Sequence, residues 1–291
     1  MSQRSATATV KPAAARPLLP GMRRLLYVAA VLVLLAGFQL FVFTDRTASY
    51  FAWTIHNPLA AAFLGAGYWA SVAFEALAAR QRVWANARIA VPTVLVFTVL
   101  TLVATLLNLG QFHLGGQFAI STRAVTWAWI AIYTVVPLLM VIILTVQLRT
   151  PGGDPPRSAP LPGWVYGLLA VQALVLLGLG VALFAAPGQA ATWWPWKLTP
   201  LLAQATGAWL IGFGVAAAHE LAERDARRLL PASAGSVVLV VLQLIALARY
   251  PGRFEWSSAV GVIYLALLAT MLITGGVGLA RARSRAAAPA S

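Results

Sequence analysis

The sequence predicts an all-α fold, a polytopic integral membrane protein of about eight transmembrane helices built as two tandem four-helix repeats in parallel orientation. Three observations predict it: an apolar composition, Lys and Arg confined to alternate connections, and matching residues at a constant spacing. Of the 291 residues, 60% are hydrophobic and 10% are charged, with a mean hydropathy of +0.81. A soluble domain carries about 25% charged residues, so most of the surface of this chain must face lipid.

A helix needs about 20 mainly apolar residues to cross the hydrocarbon core of a bilayer. Eight segments meet this requirement, and we expect the seventh to be the shortest. They are 25–43, 58–79, 89–108, 125–148, 164–185, 199–219, 233–249 and 258–280.

These segments divide the chain into two repeats, a linker and two tails. The linker is rich in Pro and Gly, and the first tail is basic, contains no acidic residue and is expected to be disordered. The divisions are a cytosolic tail at 1–22, a first repeat at 23–148, a cytosolic linker at 149–163, a second repeat at 164–280 and a cytosolic tail at 281–291.

The positions of Lys and Arg predict that both termini are cytoplasmic, because cytoplasmic connections keep the positive excess. With this orientation, sixteen of the 21 basic residues are cytoplasmic and five are external. The external ones are Arg46, Arg123, Lys197, Arg249 and Arg253. The Ala-, Arg- and Leu-rich usage is typical of a high-GC bacterium, so the expected location is the bacterial cytoplasmic (inner) membrane.

An internal repeat is visible when the chain is shifted by about 142 residues against itself. In the second helices, Pro58, Leu59, Ala61, Gly65 and Ala66 match Pro200, Leu201, Ala203, Gly207 and Ala208, and beyond them Arg82 matches Arg224. In the fourth helices the shift is 131, and Tyr133 matches Tyr264. Four helices are an even number, so both copies insert the same way up, related by a pseudo-twofold axis along the membrane normal.

Seven tryptophans fall at the external ends of the predicted helices, which favours an aromatic belt at the membrane interface. They are Trp53, Trp127, Trp129, Trp193, Trp194, Trp196 and Trp256. The alternative is a mouth whose rings stack on a ligand, and Trp53 and Trp196 are the candidates because each precedes the second helix of its copy.

Several kinds of site are excluded by composition. The absence of Cys removes disulfides, thiolate metal sites and Cys nucleophiles. The run from His219 to Arg228 lacks the second His of the HExxH metal motif and is better explained by ion pairs within a helix end. No metal or cofactor is therefore expected. No nucleic acid is expected either, because lipid headgroups account for the net charge of +14.

The remaining candidates for a ligand site or pathway are polar residues inside predicted spans. Glu75 is the clearest acid within a span; we expect it to pair with Arg80 or Arg82, although it could carry a proton or a cationic substrate. Asn108 and Gln204 are neutral residues of the kind that form hydrogen bonds between helices.

The function predicted first is non-enzymatic: binding or transport of a small, apolar or weakly polar molecule between the two repeats. The first alternative is a scaffold or assembly partner of another membrane protein, and the second is a membrane-embedded enzyme using Glu75, Glu220 and His219. A cavity between the second and sixth helices favours transport, a solid centre favours a scaffold, and clustering of those three residues favours an enzyme.

Overall fold

The structure, a computed structural model, describes residues 14–284, and this part of the chain is helical with no β-strand beyond isolated bridges. Eight of its helices are long and apolar enough to span a membrane, as predicted. They are α1 (Pro20–Gly37, continued by a π-helical turn at Phe38–Val42), α2 (Pro58–Ala79), α3 (Ala90–Leu107), α4 (Ile120–Arg149), α5 (Gly163–Ala185), α6 (Pro200–Glu223), α7 (Ala226–Arg249) and α8 (Ala259–Ser284). The chain is therefore a multi-pass membrane protein.

Helices α2 and α6, the second helix of each predicted repeat, begin within one residue of the predicted positions. Pro58 and Pro200 occupy the first turns of α2 and α6, where the N–H that proline lacks would have no partner in the helix. The side chains of Asn57 and Thr199 cap these two helices by accepting hydrogen bonds from the backbone N–H groups of the first turn.

The prediction that the seventh helix is the shortest is wrong. The structure gives α7 24 residues, against 18 in α3, because α7 begins at Ala226 rather than at 233. The Asp225 side chain caps its first turn, and Pro231 lies inside the helix. Arg227 and Arg228 lower the mean hydropathy of this turn, and Arg228 is held by ion pairs that are described below.

Neighbouring helices around the bundle follow an order different from the chain order. The order is α1, α2, α7, α8, α5, α6, α3 and α4, and α4 returns to α1. α2 and α6 also meet across the middle and are the most buried of the eight helices. The order is unchanged when every helix is exchanged for the one four places along the chain.

Two glycines allow close contact between paired helices. A Cβ atom on Gly65 of α2 would lie 2.6 Å from the backbone nitrogen of Phe41, and one on Gly207 of α6 would lie 2.9 Å from that of Phe184. Gly65 and Gly207 are one matching pair of the predicted internal repeat, and each packs against the helix that precedes its own.

The two ends of the bundle differ in character. The linker end contains residues 80–89, 150–162 and 224–225, whereas the tryptophan end contains the loops after α1, α3, α5 and α7. At the linker end, the backbone N–H of Arg16 donates to Gly153 and that of Trp84 donates to Arg16. Gln147, fully buried in α4, bonds to Pro17 and Leu19.

The two predicted tails are described only in part. Residues 1–13 and 285–291 lie outside the described residues, so the structure does not test the predicted disorder there. Within the first predicted tail, residues 16–19 make the contacts above and Pro20–Met22 begin α1. Residues 281–284 of the second predicted tail end α8.

Candidate functional site

A cavity of about 80 Å³ lies inside the bundle, and all eight helices contribute residues to its wall. The volume is well above the ~10–15 Å³ that one water molecule needs. Its wall runs from aromatic residues near the middle of the bundle to two acidic residues near the linker end. Most of the surface between them is apolar.

Glu75 lines this cavity from α2 and is 2% exposed. Its Oε2 atom has no hydrogen-bond partner, and the described residues contain no ion pair to it. The expected pairing with Arg80 or Arg82 is therefore wrong. Arg80 is exposed at the end of α2, whereas the Glu75 side chain turns inwards, a rotation that sequence spacing does not determine.

Glu220 lines the same cavity from α6 and is 7% exposed. The sequence placed it in an ion-paired helix end, but only its neighbour Glu223 is in such pairs. The cavity wall contains no Lys, Arg or His. Burying an ionised carboxylate without a counter-charge costs about several kcal/mol, so this arrangement needs a compensating group or proton.

The opposite part of the cavity is aromatic. The ring centroids of Trp209 and Phe97 lie 3.9 Å apart, and Trp209 also stacks on Phe213. Tyr133 completes this wall, with its hydroxyl 2.6 Å from that of Tyr68. These rings form a rigid surface against which an apolar molecule can pack.

Sequence reasoning missed Trp209, and it considered Glu220 only for ion pairs at a helix end or for an enzyme, not for a ligand site. Trp209, Phe213, Ala216 and Glu220 are spaced by four, three and four residues, the spacing of one helix face. That stripe was a usable signal, because it joins a large aromatic residue, a small residue and an acid along one side of a predicted span. Its partner stripe on α2, which includes Ser71 and Glu75, gives no such signal alone.

A second cavity, of about 470 Å³, opens at the tryptophan end. Trp53 and Trp196 both line it, as the predicted mouth requires, together with charged residues such as Lys197, Arg253 and Glu255. It lies where the segments before α2 and α6 meet, beside the loop after α7.

Only three of the seven tryptophans predicted to form an aromatic belt are exposed at the protein surface, as a belt requires. Trp127, Trp193 and Trp256 are exposed. The others are buried inside the protein because they pack against one another and their neighbours; they are Trp53, Trp129, Trp194 and Trp196.

Asn108 and Gln204 contact each other rather than either cavity. The Asn108 amide donates to the Gln204 side chain at 2.6 Å and to the Ala104 carbonyl at 2.8 Å. The pair joins α3 to α6, which fits the expected role of a hydrogen bond between helices. Neither residue lines a described cavity.

An ionic cluster closes the linker end. Glu223 pairs with Arg88 and, at 2.8 Å, with Arg228, and Asp154 of the linker lies 2.7 Å from Arg88. The hydrogen bond to Glu223 raises the pKa of Arg88. His219 also bonds to Glu223, at 3.2 Å, so it takes part in this cluster and does not line the central cavity.

Asp225 ties the linker to the turn between α6 and α7. Its carboxylate accepts from the backbone N–H groups of Ser158 and Ala159 as well as from Arg227. Burial alone would raise the pKa of Asp225, but these hydrogen bonds lower it below its usual value. The acid is therefore held in its ionised form.

The two histidines of the tryptophan end have different environments. His113 is buried, bonding to Thr54 and to the carbonyl of Phe51, and burial lowers its pKa. His56 is exposed. Among residues 14–284, no three His, Asp or Glu side chains are placed to hold a metal ion.

Comparison of the chain with protein-family models, with curated proteins and with solved structures gives no match.

Proposed function

We propose that this chain binds a small, apolar or weakly polar molecule in the central cavity and moves it across a membrane. The observation that carries the proposal is the cavity itself, which lies between α2 and α6 and is walled by all eight helices. A scaffold would need no such space. The three residues that an enzyme was expected to bring together are divided, since His219 bonds to Glu223 outside the cavity.

We propose further that the moving parts are the two halves of an internal duplication. Two observations support this. The order of helices around the bundle is unchanged when α1–α4 and α5–α8 are exchanged, and Gly65 and Gly207 make equivalent contacts. Gly67 and Trp209 are matching residues, and a Cβ on Gly67 would lie 3.1 Å from the Trp209 ring. Matching residues that touch lie on a twofold axis, and a pair of Trp residues would collide there.

The proposed orientation places the linker end in the cytoplasm of a bacterium. The positive charges that cluster at this end support it, because cytoplasmic connections keep the excess of Lys and Arg. In that orientation the central cavity is nearer the cytoplasm and the 470 Å³ cavity faces outside. The two cavities then mark the two sides between which a molecule passes.

A plugged cavity tests the proposal. Ala216 lines the cavity, whereas Ala218, on the same helix, is exposed. In lipid nanodiscs, equilibrium dialysis with 2-phenylethanol should show saturable retention by the unchanged protein and by Ala218→Trp. Ala216→Trp should lose that retention because the indole fills the space.

Partition of the probe into lipid is the same for the three proteins and cancels. Thermal unfolding shows whether both Trp variants fold. Equal retention by a folded Ala216→Trp protein would contradict binding in the central cavity.

A further inference from the structure

We propose that the central cavity takes a small organic cation, a protonated amine with an apolar body, whose ammonium group lies against Glu75 and Glu220. The proposal rests on the proposed function, since it names the class of molecule that the cavity binds. The observations that support it are the two acids and the aromatic wall of the same cavity.

No Lys, Arg or His of the described residues lines the cavity beside its two acids. Glu75 is only 2% exposed, and its Oε2 atom has no hydrogen-bond partner among the described residues. Glu220 lines the same space, and no ion pair to it is present among residues 14–284. The ion pairs of Arg88, His219 and Arg228 lie in the cluster around Glu223 and Asp154, and none of these basic residues lines the cavity.

The aromatic part of the cavity suits the rest of such a molecule. Trp209, Phe97 and Phe213 line the same space as the two acids, and Trp209 packs against both phenylalanine rings. These apolar rings form a surface against which the apolar body of the molecule can pack. An amine with an apolar body would therefore satisfy both ends of the cavity at once, whereas a neutral apolar molecule leaves the carboxyl groups without a partner.

The absence of Cys from the chain allows a direct test. Ser71 lines the cavity on α2, one turn before Glu75, so Ser71→Cys puts a single thiol in it. Its modification rates are compared for 2-aminoethyl methanethiosulfonate, a cation, and 2-sulfonatoethyl methanethiosulfonate, an anion of similar length. Both reagents attack the same thiolate, so the ratio of the two rates does not depend on the thiol pKa.

We expect the ratio of cation to anion rates to be about tenfold or more above that of the exposed control Ser257→Cys, since fixed charge in a low-dielectric cavity concentrates counter-ions. Adding Glu75→Gln and Glu220→Gln should return the ratio to the control value. Asp45→Asn removes one acidic charge from an exposed turn outside the cavity and should leave the ratio unchanged. Ser236→Cys, on α7, repeats the test if Ser71→Cys does not fold.

Protection then identifies the ligand class. The neutral reagent methyl methanethiosulfonate modifies Ser71→Cys, and both 2-phenylethylamine and 2-phenylethanol should slow this reaction. The amine should do so at a concentration about tenfold lower than the alcohol. Glu75→Gln with Glu220→Gln should abolish that difference.

The outcomes separate this inference from the proposed function. Equal rates for the cation and the anion, or equal protection by amine and alcohol, would overturn the cation while leaving an accessible cavity. No reaction with any of the three reagents, at either cysteine, would overturn the accessible cavity and the cation together.

Discussion

At the scale of single residues, two glutamates with similar positions and equal burial differ in their interaction partners. Glu75 and Glu223 are each 2% exposed and lie near the linker ends of α2 and α6. Glu223 has three partners, whereas Glu75 has none for its Oε2 atom. A buried acid without a partner is the pattern of a site that binds something, because its cost to stability is otherwise unexplained.

The same substitution at these positions should therefore change stability in opposite directions. Glu223→Gln should destabilise by roughly 3 kcal/mol, because it leaves the buried Arg228 with only its longer ion pair, 3.5 Å to Asp154. Glu75→Gln should raise the unfolding midpoint by about 2–4 °C, since an amide is less costly to bury than a carboxylate. Thermal unfolding in one detergent measures both; a fall of the midpoint with Glu75→Gln would show that Glu75 has a stabilising partner.

The buried His113 predicts a dependence of stability on pH. Its pKa is lowered by burial, so its contribution is fully present above the unfolded value of about 6.5 and is lost as pH falls through the lower folded value. The unfolding midpoint should drop between pH 7.5 and pH 5.0, and His113→Gln should make that drop smaller.

The exposed His56 supplies the control for that measurement. His56→Gln should leave the drop between the two pH values unchanged. An unchanged drop in His113→Gln would mean that protonation of another group causes it.

At the scale of helices, the sequence predicted most of what the structure contains. Hydropathy located all eight spans because a bilayer demands long apolar helices, and Pro58 and Pro200 marked two starts. The start of α7 was missed because Arg227 and Arg228 lower the local hydropathy. Asp225 nevertheless stands directly before that helix, and a capping residue was a visible signal.

Two glycines test the close contact between α5 and α6. Gly207→Ala would place a Cβ 2.7 Å from the Gly180 carbonyl oxygen, so it should destabilise by about 1–3 kcal/mol through overpacking. Gly178→Ala has nothing within 4 Å of its Cβ and should leave stability unchanged or raise it by about 0.5–1 kcal/mol. Thermal unfolding of the two variants measures this, and equal midpoints would contradict the contact.

At the scale of the whole molecule, the sequence predicted the matching segments but not how they pack. Two separate four-helix bundles and one interlocked bundle satisfy the same hydropathy pattern. In the structure α2 packs on α7 and α3 packs on α6, so helices of the first half are covered by helices of the second. This exchange brings Glu75 and Glu220 to one cavity, and no property of either segment alone could have indicated it.

The measurement that tests the shared cavity most directly is disulfide formation across its wall. The Cβ positions of Phe74 and Gly235 lie 3.3 Å apart, and those of Phe97 and Gly212 lie 3.4 Å apart, close to the ~3.8 Å of a disulfide. All four residues line the cavity. With a protease site placed in the linker, oxidation should keep the two halves joined after cleavage for the pairs Phe74→Cys with Gly235→Cys and Phe97→Cys with Gly212→Cys. In the exchanged pairs, Phe74→Cys with Gly212→Cys and Phe97→Cys with Gly235→Cys, the two halves should separate after cleavage. Separation of the halves in the first two pairs would contradict a cavity walled jointly by both halves. Equal disulfide formation in all four pairs would contradict it as well.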